Sequence, residues 1–184
     1  MSIPDLVQLL ASRSAKRGEF TLASGRPSTL YIDARLTTMS PEGLMIIGSV
    51  GLQALWEARW DVEAVGGLTL GADPIAYAIA YASATSRRPV RAFTVRKETK
   101  SHGMGRLIEG PFRPGDRVAV IEDVITTGAS AIKAAQAVKD AGGEIIGVLA
   151  LVDREEGGRE ALETEGLKVI ALTSASDIVA QMQS

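Results

Sequence analysis

Two adjacent carboxylates, Glu122 and Asp123, precede the run Thr126-Thr127-Gly128-Ala129-Ser130 where an apolar segment gives way to an alanine-rich one. In a parallel α/β sheet, a strand-to-helix junction of this kind lies at the carboxyl edge of the strands, where ligands bind. The N–H groups of a helix start, together with the positive end of its dipole, suit a phosphate monoester. Thr126, Thr127 and Ser130 add hydroxyl donors, and Gly128 lets the backbone approach closely. Carboxylates repel phosphate, so Glu122 and Asp123 fit a neighbouring part of the ligand, such as sugar hydroxyls from which they accept hydrogen bonds. No lysine follows as in Gly-x-x-x-x-Gly-Lys-Ser/Thr, so an ATPase-type P-loop is not supported. Spacing alone reaches a phosphorylated sugar or similar ligand. The same residues also suit a plain helix cap by Thr127 and Ser130 beside two solvated acids.

A second cluster spans Arg96-Lys97-Glu98-Thr99-Lys100-Ser101-His102-Gly103-Met104-Gly105-Arg106, with four permanent cations and the single histidine of the chain in eleven positions. Its polarity between two apolar strands predicts an exposed loop of about 15–20 residues, long enough to act as a lid. Cations closing over a polyanionic leaving group stabilise developing charge in a site shielded from water. A solvated hairpin with ordinary surface charges is the other reading of such a run. One histidine excludes zinc sites that need two or three imidazoles. A Ser-His-Asp triad would need His102, and no Gly-x-Ser-x-Gly elbow is present to serve it.

The elements that must position these groups follow from apolar patterning. Ser2, Pro4 and Asp5 open a first helix through Leu6, Leu9 and Leu10, expected to run until Gly18. A β-rich stretch with a Ser24–Ser28 turn follows, then a helix from Ser40-Pro41-Glu42. From Val62 onward, strands alternate with helices: strands at 62–65, 90–95, 117–121, 144–152 and 167–172, and helices at about 74–83, 131–141 and 158–165. That alternation predicts an α/β fold with a central, mainly parallel sheet covered by helices on both faces. No repeat or linker divides the 184 residues, so residues 1–184 are expected to form a single domain with a small extension at residues 1–40.

Composition removes several function classes. Twenty Lys+Arg against 22 Asp+Glu give a formal charge of -2, so no bulk attraction to nucleic acid is expected. Eight aromatic residues, three Phe, three Tyr and two Trp, are too few for a single-strand stacking platform. No apolar run approaches a membrane span, the N-terminus lacks a secretory pattern, and there is no cysteine. A cytoplasmic protein with no membrane and no nucleic-acid partner is the expectation.

Over its full length, the segment from Val120 to Ser130 resembles the phosphoribosyl-pyrophosphate signature of the type I phosphoribosyltransferases. Arg-Lys-Glu-x-Lys-x-His-Gly, upstream of it, resembles the catalytic loop of the orotate phosphoribosyltransferase family. Phe20-Thr21-Leu22-Ala23-Ser24-Gly25-Arg26-Pro27-Ser28, continuing to Tyr31-Ile32-Asp33, is similar to that family's Phe-x-Leu-x-Ser-Gly-x-x-Ser segment. Val152-Asp153-Arg154 matches the strand end where the family sets an arginine against the pyrimidine.

The resemblance implies the type I phosphoribosyltransferase fold, with residues 1–40 as an N-terminal hood. It implies Mg²⁺-dependent transfer of a phosphoribosyl group from phosphoribosyl pyrophosphate to N1 of orotate, in pyrimidine (UMP) biosynthesis. Glu122 and Asp123 would then bind the ribose 2- and 3-hydroxyls, with Asp123 counted as catalytic. Val124, Ile125, Thr126, Thr127, Gly128, Ala129 and Ser130 would hold the 5-phosphate. Lys100 and His102 would stabilise the departing pyrophosphate while Arg96 and Lys97 grip its phosphates. Thr126 and Arg154 would contact orotate, an Arg fork being suited to a planar carboxylate. For Arg154, the bland alternative is a salt bridge to Glu155 or Glu156. No dedicated protein metal site is expected, since Mg²⁺ is held chiefly by ligand oxygens and water. The family also implies a homodimer whose cationic loop serves the other subunit's site.

Two departures stand out. Ala23 replaces a lysine that some members carry, and Leu70-Gly71 replaces a Tyr-Lys pair. Backbone N–H groups of the Gly66–Pro74 turn are left to bind pyrophosphate as a nest. A purine phosphoribosyltransferase and a non-catalytic nucleotide-sensing regulator on the same fold are the competing functions.

Overall fold

The computed structural model describes residues 1–21, 27–98 and 107–182. Its first helix, α1 (Ile3–Arg13), starts with a capping box in which the Ser2 side chain accepts from the Asp5 N–H and the Asp5 carboxylate accepts from the Ser2 N–H. Leu6 and Leu10, one turn apart, are fully buried by it. The helix stops well before Gly18. Ser14 is buried, its N–H closes on Leu10 O at 2.9 Å, and its hydroxyl pairs with Thr37 Oγ1 at 2.7 Å. Strand β1 (Ala15–Thr21) then takes Gly18 into its interior and pairs antiparallel with β2 (Pro27–Ile32), starting at Ala15 opposite Ile32.

One short turn, α2 (Arg35–Thr38), leads to α3 (Pro41–Glu57), whose N-cap Ser40 accepts from the Gly43 N–H at 3.1 Å. The alternating region follows as β3 (Ala64–Leu68), α4 (Ala72–Ser83), β4 (Arg91–Val95), β5 (Ile108–Glu109), β6 (Arg117–Ile125), α5 (Ala129–Asp140), β7 (Glu144–Asp153), α6 (Gly158–Thr164), β8 (Val169–Ser174) and α7 (Ala175–Gln181). The six strands β3–β8 form one sheet in the order β5-β4-β3-β6-β7-β8, parallel except for the antiparallel edge strand β5.

The sheet separates two apolar layers. Val65, Ile121, Leu149 and Leu151 pack on one face with α1, α3, α4 and α7, while Phe93, Val118, Val120 and Val148 pack on the other with α5 and α6. Fully burying each such side chain contributes roughly 1.5–3 kcal/mol. Three elements are absent from the patterning read above: α2, the two-residue β5, and α7, which has its own Ser174–Asp177 capping box.

Strand β6 also runs further than expected. Its pairing with β7 continues through Glu122 opposite Ala150 and Ile125 opposite Asp153, so both acids lie inside the strand rather than beyond it. Backbone ladder bonds are indifferent to side-chain polarity, and the neighbouring strand holds the backbone straight through them.

Candidate active site

The chain leaves β3 toward β4 on one side and leaves β6 toward β7 on the other, so the crevice at the carboxyl ends of β3 and β6 is a topological switch point. Pairing between these strands stops at Gly66 opposite Val120. Beyond it lies a cleft of about 570 Å³, walled by Leu68 at the end of β3 and Thr69–Gly71 after it, Glu122–Val124 in β6, and Thr126, Thr127 and Ser130 at the start of α5. Tyr31–Arg35 from the N-terminal elements, Lys97 and Arg154 complete the lining.

The acids differ in environment. Asp123 accepts from the Val124 N–H at 2.9 Å and lies against Gly71, where a Cβ would come within 2.5 Å of its Cγ; only glycine lets the β3–α4 loop sit this close. Glu122 is largely buried, and its Oε2 has no hydrogen-bond partner among the described residues. Burial first, then repulsion from Asp123 and a hydrogen bond to it, push the Glu122 carboxyl up to about 8. A buried acceptor without a partner is costly, and a ligand hydroxyl at this point would relieve it.

Gly128 turns the chain into α5 with a left-handed φ of 78°. A Cβ there would also lie 2.9 Å from Gly158 O and 3.0 Å from Leu162 Cγ, so α6 packs directly on the turn. Among the described residues no side chain caps α5, and Thr127 Oγ1 accepts from the Ala129 N–H only at 3.4 Å. An uncapped N-terminus ringed by Thr126, Thr127 and Ser130 presents N–H donors and a positive dipole end to an anion. Ile125 points into the core at 1% exposure, leaving only its backbone near the site, and Gly128 and Ala129 shape the turn without lining the cleft.

Arg154, 8% exposed, lies where β7 ends. Its Nε donates to Glu156 Oε1 at 2.7 Å, and its Nη2 donates to Ser28 Oγ and Leu30 O, both at 3.1 Å. The bland pairing with Glu156 and the cleft-facing position hold together in one side chain. Arg154 therefore ties β2 to the carboxyl edge of the sheet.

Of the cationic run, Lys97 lines the cleft, and its carbonyl accepts from Lys133 Nζ at 2.7 Å. Arg96 is not part of the lining; its guanidinium pairs with Glu109 at 3.5 Å. Lys100 and His102 lie outside the described residues, as do Ala23 to Arg26.

Two further groups belong to the site. Thr69 Oγ1 donates to Asp73 Oδ2 at 2.6 Å, and Thr94 Oγ1 donates to Asp73 Oδ1 at 2.7 Å, which fixes the β3–α4 loop from beneath. Arg35 lines the cleft and grips Asp33 with two hydrogen bonds of 2.8 and 3.0 Å. The signal for Arg35 was the Asp-x-Arg spacing next to the Tyr31-Ile32-Asp33 match, visible only once the α2 turn is known.

No family model matches the chain. A curated protein of Aquifex aeolicus (strain VF5) named orotate phosphoribosyltransferase is 49% identical over 177 residues, covering 95% of this chain and 96% of its own length. One of the same name from Synechocystis is 47% identical over 174 residues, covering 94% and 86% respectively. The solved structure of Mycobacterium tuberculosis H37Rv orotate phosphoribosyltransferase in complex with 5-phospho-alpha-D-ribosyl 1-diphosphate matches with a TM-score of 0.79 at 42% identity, covering 96% of this chain and 98% of that one. With a parallel sheet, a switch-point cleft and relatives of this identity along nearly its whole length, the chain belongs to the orotate phosphoribosyltransferase family.

Proposed function

We propose that this chain transfers the phosphoribosyl group of phosphoribosyl pyrophosphate to N1 of orotate, yielding orotidine 5'-monophosphate and pyrophosphate, in pyrimidine (UMP) biosynthesis. The observation that carries the reading is the convergence in one cleft of paired acids, an uncapped helix start and a buried arginine. The uncapped start of α5 takes the 5-phosphate, and Glu122 and Asp123 accept from the ribose hydroxyls. Arg154, with Thr126, faces the acceptor's planar carboxylate. The N1 lone pair of orotate, reacting as its anion, forms the bond to C1 as the C1–oxygen bond to pyrophosphate breaks. Charge gathers on the leaving diphosphate, where Lys97, Lys100 and His102 act, Arg96 closing with them. No protein nucleophile is needed.

Among the described residues, no three His, Cys, Asp or Glu side chains converge on a metal position. The partnerless Oε2 of Glu122 beside Asp123 instead suits a cation held mainly by the donor's hydroxyl and diphosphate oxygens and by water. Mg²⁺ bound in this way would neutralise the diphosphate as it departs.

Residues 1–40 act as a hood over the acceptor, held down by Arg154. The working form is a homodimer in which each cationic loop serves the partner's cleft. Tyr77 and Tyr81 on α4, Met45 on α3, and Leu36 and Met39 are large exposed apolar side chains, a composition suited to burial against a second copy. The enzyme is placed in the cytoplasm with its charged substrates; among the described residues no helix is long and apolar enough to cross a membrane.

Following orotate absorbance with and without donor and Mg²⁺ tests the activity. Loss of signal only when donor and Mg²⁺ are both present is the expected result. A panel in which adenine, guanine or xanthine outperforms orotate would replace it with the purine reading.

A further inference from the structure

Three cationic side chains line the cleft among the described residues: Arg35, Lys97 and Arg154. Arg154, held by Glu156, Ser28 and Leu30, is already assigned to the acceptor. Lys97 stands at the root of the cationic loop. The β3–α4 loop, with Leu70-Gly71, contributes no cation at all. A diphosphate leaving C1 must depart from the acids on the side away from the α5 N-terminus, which is occupied by the 5-phosphate. That side is walled by Thr69–Gly71, and Gly71 touches Asp123.

Arg35 lines the same cleft as Thr69, Leu70 and Gly71. Its guanidinium lies within the field of Tyr31 and of Asp123, both of which favour its charged form after the dominant hydrogen bonds it donates to Asp33. The two-pronged grip of Asp33 on Nε and Nη2 fixes the plane of the guanidinium and leaves Nη1 without a protein partner among the described residues. Asp33 is itself anchored, its N–H donating to Ser14 O at 2.9 Å. A half-exposed arginine held in this way loses little side-chain entropy when it takes a phosphate oxygen.

We infer that Arg35, locked by Asp33 at the wall of the cleft it shares with the Thr69–Gly71 loop, is a diphosphate-binding residue that supplies the positive charge this loop lacks. The inference rests on the phosphoribosyl reading of the cleft. It makes the N-terminal hood a contributor to the donor's leaving group as well as to the acceptor.

Calorimetric titration of the full chain with inorganic pyrophosphate, ribose 5-phosphate and orotate, for the parent, Arg35→Gln and Asp33→Asn, tests it. Loss of one charge-assisted contact predicts pyrophosphate binding weakened about tenfold or more in Arg35→Gln. Ribose 5-phosphate and orotate should stay within about twofold, which also shows that the variant is folded. Asp33→Asn keeps the charge and frees its plane, so a smaller loss confined to pyrophosphate is expected. Unchanged pyrophosphate affinity in Arg35→Gln, or a loss confined to orotate, overturns the inference and leaves the proposed activity standing. A parent protein that binds neither pyrophosphate nor ribose 5-phosphate overturns both.

Discussion

Arg154 Nη2 donates to Ser28 Oγ at 3.1 Å across 126 positions of sequence, joining β2 to the carboxyl end of β7. One guanidinium therefore serves both as fastener and as proposed acceptor contact. Arg154→Ala should raise the KM for orotate by roughly tenfold or more, the worth of a charge-assisted pair. Binding of the sugar donor should stay nearly intact. Steady-state kinetics with each substrate varied in turn checks this, and a loss confined to the donor contradicts the assignment.

Glu122 predicts a pH signature. Its carboxyl is pushed from the ordinary 4.5 to about 8 in the fold, so the folded state holds a proton that the unfolded chain has released. Stability should then fall as pH rises through that window, with a slope approaching about 1.4 kcal/mol per pH unit, and level off above it. Urea midpoints across pH 5–9 read the slope, and Glu122→Gln should flatten it. Hydroxyls that donate to the ionised carboxylate favour that form, so binding ribose 5-phosphate near neutral pH should release protons. Calorimetry in buffers of different ionisation enthalpy measures the release.

Gly128→Ala should destabilise the fold by at least about 1–2 kcal/mol, since a side chain disfavours its left-handed φ of 78°. Contact with Gly158 O and Leu162 would add to that cost. Ribose 5-phosphate should bind more weakly in step, because the same turn aims the start of α5. Denaturant melts and phosphate-ester titration give the two readouts.

Lys100→Ala should lower the maximal rate by about a hundredfold or more while donor affinity changes little, as expected for a charge that acts on the departing group. Equal rates for variant and parent at saturation would remove Lys100 from the chemistry.

Tyr81→Glu alters a side chain that is 86% exposed, so the fold should tolerate it. Sedimentation should show a shift toward monomer, with activity lost in parallel if each loop completes the other subunit's cleft. An unchanged dimer would move the interface elsewhere.

Much of this was legible in the residue pattern, for identifiable reasons. Apolar runs such as Val118–Ile121 reveal strands because burial on both faces demands them. The Gly128 turn is visible because few residues tolerate its φ. The end of α1 was not legible: Ser14 stops it through a hydroxyl contact with Thr37, a partner 23 residues away. The extension of β6 through Glu122 and Asp123 was hidden for a similar reason, since the bonds that sustain it come from β7. Arg35 has no sequence signature of its own, because a lone arginine after Asp33 gains meaning only when the α2 turn brings it to the cleft wall.

The rung at which Ile125 opposes Asp153, reinforced by the Arg154 N–H donating to Ile125 O at 3.0 Å, couples the proposed monoester seat directly to the arginine proposed for the acceptor. It works as a ruler cut into the sheet: the gap between the two seats is set by inter-strand spacing. Widening the range of nucleobases accepted would thus be easier by recutting the N-terminal wall of the cleft than by shifting either seat, and directed evolution of this scaffold should find its gains in Tyr31 and Ile32 first.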